Sequence, residues 1–176
     1  MEFEIVNVVT TADLRQKVDI VSLGMHDEFH HDETTYGGRV AYHDIPDEPG
    51  KVTIFHSGKM ISVGTGSIEA SKRLLSITKD SLIRKGYILD VELETQVRNI
   101  VCLIKTGHTV NLESLVGLTG CSYEPEQFPG AVLKTTEPTE CTLLFFSSGK
   151  VVITGLKRIE SINDIIMYIN GLVSDL

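Results

Sequence analysis

Phe146-Ser147-Ser148-Gly149-Lys150 repeats, 91 residues on, the run Phe55-His56-Ser57-Gly58-Lys59, and that duplication decides the fold. Other matches keep the register. Asn7-Val8-Val9 is answered by Asn99-Ile100-Val101 at an offset of 92, and Asp19-Ile20-Val21-Ser22-Leu23-Gly24 by Asn111-Leu112-Glu113-Ser114-Leu115-Val116. Ile68-Glu69 is answered by Ile159-Glu160, again 91 apart. Two copies of about 88 residues fill the 176-residue chain, so 1–88 is expected to form a first repeat and 89–176 a second within one continuous domain. Two copies make a pseudo-dimer and not a solenoid.

Within each copy the same signals follow one another. A β-branched run, Ile5 to Thr11 or Val97 to Ile104, reads as a strand. A short amphipathic helix follows over Asp19 to Met25 or Asn111 to Leu118, with Asp19 and Asn111 as N-caps. Further strands are expected at Gly38 to Tyr42, Val52 to Phe55 and Met60 to Val63, answered by Gly130 to Lys134, Thr142 to Phe146 and Val151 to Thr154. Ser-Gly at 57–58 and 148–149 supplies a tight hairpin. A longer helix closes each copy. Ile162, Ile165, Ile166, Ile169, Leu172 and Val173 fall on one stripe of a 3.6-residue period. In the first copy Ile68, Leu74, Leu75, Ile77 and Leu82 do so more loosely, beside the basic Lys72, Arg73, Lys79, Arg84 and Lys85. Helices on one side of a mainly antiparallel sheet make an α+β arrangement.

The strands are apolar on both faces. In Leu143-Leu144-Phe145-Phe146 successive side chains point to opposite sides and all are hydrophobic, and Val151-Val152-Ile153-Thr154 repeats the pattern. An antiparallel sheet covered by helices on one side shows polar residues on the other unless that face has an apolar partner of its own. A dimer interface and a sandwich core both meet that need.

Composition points elsewhere. Sixteen Lys and Arg against 24 Asp and Glu give a net charge of −8, and phosphate neutralisation by cations supplies most non-specific affinity for nucleic acid. The average still leaves room for a basic or apolar patch on an acidic protein. No apolar stretch approaches the roughly 20 residues of a membrane-spanning helix. Met1-Glu2-Phe3-Glu4-Ile5 lacks the basic and apolar regions of a signal peptide, so an intracellular protein is expected. Cys102, Cys121 and Cys141 form no C-x-x-C pair and read as small buried hydrophobes rather than a disulfide framework or zinc cage.

Within His26-Asp27-Glu28-Phe29-His30-His31-Asp32-Glu33, His26 and His30 stand four apart, which on a helix puts both imidazoles on one face. Nothing downstream supplies a third ligand, so a solvated acidic loop is expected and no metal site. No nucleophile-base set, phosphate loop or catalytic carboxylate pair emerges, so neither an active site nor a cofactor is assigned.

Tyr123-Glu124-Pro125-Glu126-Gln127-Phe128-Pro129-Gly130, followed by the run from Leu143 to Gly155, closely resembles the second repeat of the archaeal TATA-box-binding proteins. Asn99-Ile100-Val101 fits that family's opening strand. In the first half the resemblance rests on Asn7-Val8-Val9, on Phe55-His56-Ser57-Gly58-Lys59-Met60 and on the helix after Gly66. It implies a saddle: two pseudo-symmetric α+β repeats whose sheets join in one curved antiparallel surface, with helices on the convex side. The concave face would lie on a widened minor groove of double-stranded DNA, with aromatic wedges between base steps. Binding of that kind uses apolar contact and DNA deformability, which a net negative protein can supply. Minor-groove readout separates A·T from G·C pairs, as a TATA-like promoter element requires.

By the same resemblance, Phe128 and Phe146 are the intercalating pair of the second repeat, and Phe55 with Tyr36 that of the first. Asn7 and Asn99 match central asparagines that donate to base acceptors near the pseudo-dyad. Val9, Ile61, Val101, Leu144 and Val152 match apolar groove contacts, and Thr154 a central threonine. Lys59, Lys134, Lys150 and Lys157 stand where the family places phosphate contacts. Glu124 and Glu126 match acidic contacts to transcription factor B, through which RNA polymerase is recruited. The implied function is general transcription initiation, in an archaeal cytoplasm, or a nucleus for a eukaryotic source.

The first repeat departs from the pattern. Tyr36 occupies an intercalating position, Thr53 replaces a leucine, Val63 replaces the threonine, and His31-Asp32-Glu33-Thr34-Thr35-Tyr36 replaces the usual stirrup. From Asp27 to Glu48 seven acids face the single Arg39. Such changes suit a second reading, a divergent paralogue that works mainly as a protein-interaction or regulatory module and binds DNA weakly alone. A concave apolar face also suits a homodimer of the free protein. An enzyme built on the His/Asp/Glu cluster is the third and least supported reading.

Overall fold

The structure, a computed structural model, describes residues 2–174. Asn7–Arg98 forms one compact unit, and the other holds the start of the first strand together with the chain from Asn99 onward.

The first unit is built on β1 (Phe3–Asp13), β2 (Phe29–His31), β3 (Val40–His43), β4 (Lys51–Phe55) and β5 (Lys59–Thr65), with helices α1 (Ile20–Leu23) and α2 (Ile68–Arg84). Its strands are antiparallel in the order β2-β3-β4-β5-β1. The second unit repeats the plan with β6 (Thr95–Lys105), β7 (Gly130–Thr135), β8 (Cys141–Phe146), β9 (Lys150–Leu156), α3 (Leu112–Thr119) and α4 (Ile162–Val173), in the order β6-β9-β8-β7. Both opening strands carry a register shift at matching places, between Val8 and Thr10 in β1 and between Ile100 and Cys102 in β6.

Alternation along the strands puts one face on the helices. Val52 and Ile54 of β4 and Met60 of β5 are fully buried against Leu74, Leu75 and Leu82 of α2. In the second unit Leu143, Phe145, Val151 and Ile153 are fully buried, as are Ile165 and Ile169 of α4. The helices form because their apolar residues recur every three or four positions, and burial of that stripe supplies most of their stability.

The hairpins fix the register of each unit. Gly58 N–H donates to the Phe55 carbonyl at 2.8 Å and Gly149 N–H to that of Phe146 at 2.9 Å. Both glycines have φ of +80° to +90°, and an added Cβ would lie 1.9 Å from the carbonyl oxygen of Gln16 or His108. No other residue fits there.

Two local expectations need correction. The first short helix covers only Ile20–Leu23, because Gly24 passes so close to His31 that even a Cβ would meet it at 2.3 Å. The chain must turn there to reach β2. That strand itself falls inside the stretch read as an acidic loop, since Phe29 is buried and stacks on His43 with ring centroids 4.4 Å apart. The closing helices have the expected stripes and differ in length. Ser67 caps α2 by accepting from Ala70 N–H at 3.0 Å, whereas the equivalent position before α4 is Arg158, which has no acceptor, and α4 starts three residues later in the repeat.

Candidate nucleic-acid interface

The face of each sheet opposite the helices stays half exposed and is built from the residues that alternate with the core. In the second unit strand register aligns Val132, Leu144, Val152 and Leu103 across β7, β8, β9 and β6. All four are aliphatic and half buried. In the first unit the matching row is Tyr42, Thr53, Ile61 and Thr11. Val9, Val101 and Thr154 lie half buried in their strands.

An aromatic pair stands at the edge of each face. Phe128 and Phe146 meet edge to face with centroids 5.7 Å apart, and Tyr36 and Phe55 do the same at 5.6 Å. Both pairs are brought together by the fold, since each joins a loop residue to a strand end. Phe128 is 37% exposed and Tyr36 66% exposed, so the partner in each loop presents much of its ring to solvent. Tyr36 reaches its position with φ of 51°, a left-handed conformation uncommon for a bulky side chain. A 3-10 turn over Thr35–Gly38 holds it there. Just before it, Asp32 accepts from Thr34 N–H and from the Thr34 and Thr35 hydroxyls, and these bonds hold its carboxyl well below the usual range.

Two asparagines have their amides oriented by backbone. Asn7 Oδ1 accepts from Gly64 N–H at 2.7 Å, and Asn99 Oδ1 from Gly155 N–H at 2.8 Å. Gly64 and Gly155 have φ of +89° and +94°, which turns their N–H groups toward the asparagines. Only the oxygen can accept, so each Nδ2 is left as a donor. Asn99 Nδ2 approaches Thr154 Oγ1 at 3.4 Å, while Val63 at the matching place of the first unit offers no hydroxyl.

Lys59 and Lys150 open β5 and β9, Lys134 lies in β7 and Lys157 follows β9; all are exposed, and none forms an ion pair among the described residues. The basic residues of α2 behave differently. Arg73 pairs with Glu48 at 2.5 Å, Lys79 with Asp90 at 3.2 Å and Lys85 with Glu28 at 3.0 Å, so much of that positive face is locally neutralised. Glu124 and Glu126 are exposed on the turn leading to Phe128, whose N–H donates to the Glu124 carbonyl at 2.9 Å.

The sequence reading missed a groove of about 780 Å³ in the first unit, lined by Thr11, Phe55, Lys59 and Ile61 with Arg15 and Arg98. Arg98 Nε donates to Thr11 Oγ1 at 3.0 Å, and Arg15 is paired with Glu94 at 2.5 Å. The available signal was Arg98 standing immediately before Asn99. The histidines do not converge: His26 lies in a turn, bonded to Tyr87 at 3.1 Å, and His30 is in β2. No metal-holding group of His, Cys, Asp and Glu occurs among the described residues. Cys102 and Cys141 are free thiols pushed up to about 11 by burial. No described helix is long and apolar enough to cross a membrane.

The family described as "Transcription factor TFIID (or TATA-binding protein, TBP)" matches residues 2–82 and 94–176. A TATA-box-binding protein of Cenarchaeum symbiosum is 40% identical over 154 residues, 87% of this chain and 84% of that protein. TATA-box-binding protein 2 of Haloferax volcanii is 37% identical over 163 residues, covering 89% and 85% respectively. The solved structure of Methanococcus jannaschii TBP superposes with a TM-score of 0.87 at 28% identity, over 100% of both chains. The expected fold class is therefore the one found, and the family is one of transcription factors and not of enzymes. With its duplicated α+β units, paired edge aromatics and backbone-oriented asparagines, the chain belongs to the TATA-box-binding protein family.

Proposed function

We propose that this protein is a general transcription initiation factor that binds TATA-like promoter DNA in the minor groove, bends it, and recruits transcription factor B and through it RNA polymerase. The observation that carries this reading is the half-exposed sheet face of each unit, bordered by an edge-to-face aromatic pair. Repeats 1–88 and 89–176 each supply one such face.

Each step has a physical basis. Phe128 with Phe146, and Tyr36 with Phe55, enter base steps, where unstacking costs a few kcal/mol per step and is offset by the protein surface that bent DNA can cover. Val9, Ile61, Val101, Leu144 and Val152 pack on the groove floor, and Thr154 sits beside Asn99. The Nδ2 groups of Asn7 and Asn99 donate to adenine N3 and thymine O2, the acceptors common to A·T and T·A pairs. Lys59, Lys134, Lys150 and Lys157 contact phosphates and fix position without reading sequence. Glu124 and Glu126 face transcription factor B. In the free protein the same apolar faces suit a second copy of the chain, which sedimentation without DNA detects. An archaeal cytoplasm is the proposed location.

A second reading, a protein-interaction paralogue with weak DNA binding of its own, is favoured by the Tyr36 hydroxyl, by Thr53 and by the acids from Asp27 to Glu48. Gel-shift titration on a TATA duplex with and without transcription factor B separates the two. Binding by the protein alone supports the first reading, binding only with the partner supports the second, and no binding in either condition sinks both. Glu124→Lys with Glu126→Lys abolishes the ternary complex and spares the binary one if these acids meet transcription factor B.

A further inference from the structure

We propose that the two repeats read their halves of the site by different rules: the first tolerates a G·C pair, with Thr53 Oγ1 accepting from the guanine N2 amine, while the second rejects it. The inference rests on the minor-groove reading above and adds a specificity residue to it.

Strand register supplies the contrast. The second repeat presents Val132, Leu144, Val152 and Leu103 in one row, with no hydrogen-bonding atom among the four side chains. The first presents Tyr42, Thr53, Ile61 and Thr11, with Thr53 at the place of Leu144. In the minor groove a G·C pair differs from A·T by one added donor, the N2 amine. Pressed against four aliphatic side chains, that amine loses its water and gains no acceptor.

Thr53 offers a free hydroxyl beside the wedge to answer it. Thr11 Oγ1 is already engaged, accepting from Arg98 Nε at 3.0 Å and donating to the Gln96 carbonyl at 3.4 Å. Tyr42 has Lys51 Nζ over its ring, 4.9 Å from the centroid, and its hydroxyl, which makes no hydrogen bond among the described residues, stands one strand further from Ile61 than Thr53 does. Thr53 is half buried between Tyr42 and Ile61, and its side chain makes no hydrogen bond among the described residues. It stands two residues before Phe55 on the same face of β4, so it addresses the base pairs beside the wedge. A threonine hydroxyl both donates and accepts. It can therefore donate to adenine N3 or thymine O2 and accept from guanine N2, which gives tolerance of G·C and no demand for it.

The test compares duplexes that carry a single inosine·cytosine or guanine·cytosine pair at each position of a TATA site; inosine lacks only the N2 amine. The quantity read is the ratio of the two Kd values at each position. In the wild type the ratio stays within about twofold next to one wedge and reaches about tenfold or more at the symmetric position, within the usual range for one wrong base pair. Thr53→Leu raises the low ratio to about tenfold, which also identifies the half that the first repeat contacts. Leu144→Thr lowers the ratio in the other half. Thermal melts confirm that both variants are folded, as expected for changes on a half-exposed face. Equal ratios in the two halves, or a Thr53→Leu ratio unchanged from wild type, overturn the proposal while leaving minor-groove binding intact. Failure to bind any duplex, with or without transcription factor B, overturns both.

Discussion

The two repeats share a backbone plan and differ in how they fill it. In the first, Ser62 Oγ lies 2.6 Å from Ser71 Oγ, and Ser71 donates to Thr10 Oγ1 at 2.8 Å, a fully buried polar cluster between sheet and helix. The repeat offsets put Cys102, Ile153 and Ile162 at the same three places in the second, all buried. His43 and Thr78, bonded at 2.8 Å, form another buried polar contact in the first repeat, and the position matching Thr78 is Ile169. A shared architecture thus accepts either filling, provided that each buried polar atom finds a partner; among the described residues none lacks one. The first repeat is more polar on the open face as well, at Thr11, Tyr42 and Thr53.

The largest effect expected from this asymmetry is on DNA. If each wedge is worth about 1–3 kcal/mol, as aromatic stacking on a base typically is, Phe128→Ala with Phe146→Ala weakens binding at least about thirtyfold and removes one bend. Tyr36→Ala with Phe55→Ala weakens it less, because the tyrosine hydroxyl must find a partner in the groove. Equal losses in gel-shift and bending assays would break the comparison at its functional end.

Next comes the core. Ile153→Ser places a hydroxyl where no partner waits and opens a cavity, at a cost of about 4 kcal/mol. Ser62→Ala costs about 1 kcal/mol, because Ser71 keeps its bond to Thr10. Urea denaturation midpoints measure both, and a Ser62→Ala loss as large as that of Ile153→Ser would show the polar cluster to be cooperative. Helix capping gives a smaller contrast. Ser67→Ala destabilises by about 1 kcal/mol, and Arg158→Ser stabilises by up to about 1 kcal/mol by letting α4, which now starts after Ser161, begin at Ile159 with the cap that α2 already has. Helical content by circular dichroism should rise in the second variant.

The smallest expected effect is a pH slope confined to the first repeat. Burial lowers the His43 pKa below the ordinary 6.5, against the opposing pull of Glu28 and Asp44, while Lys85 and Arg84 reinforce the lowering. The neutral imidazole is therefore the form the fold prefers. Its contribution is fully present above the unfolded value and is lost as pH falls below about 6.5 toward the lower folded value. Thermal melts from pH 7.5 to 5 should show the wild type losing stability faster than His43→Leu; parallel curves would remove His43 from the account.

Much of this organisation was legible in the residues. The duplication predicted the order of elements because hairpin glycines, apolar alternation and helical stripes are local signals, set by φ/ψ freedom and periodicity. The early end of the short helix at Leu23 and strand β2 were not legible. One depends on the contact of Gly24 with His31, and the other on Phe29 packing against His43, contacts that form only when the chain folds back on itself. The basic residues of α2 were legible but their pairing was not, because the partners Glu48, Asp90 and Glu28 lie outside the helix. At the candidate site the residue types were legible, while their orientation was not: the Asn7 and Asn99 amides are turned by glycines 57 and 56 residues away.

By itself the sequence determined that the chain is a doubled α+β repeat with apolar residues on both faces of its strands, since period and spacing are properties of neighbouring residues. Only the tertiary structure decided that the aromatics of each pair meet edge to face, that Thr53 has no protein partner while Thr11 is engaged, and that Thr10, Ser62 and Ser71 satisfy one another in the core. Those outcomes depend on strand register and on helix docking, which bring residues tens of positions apart within hydrogen-bond distance and which no local propensity encodes.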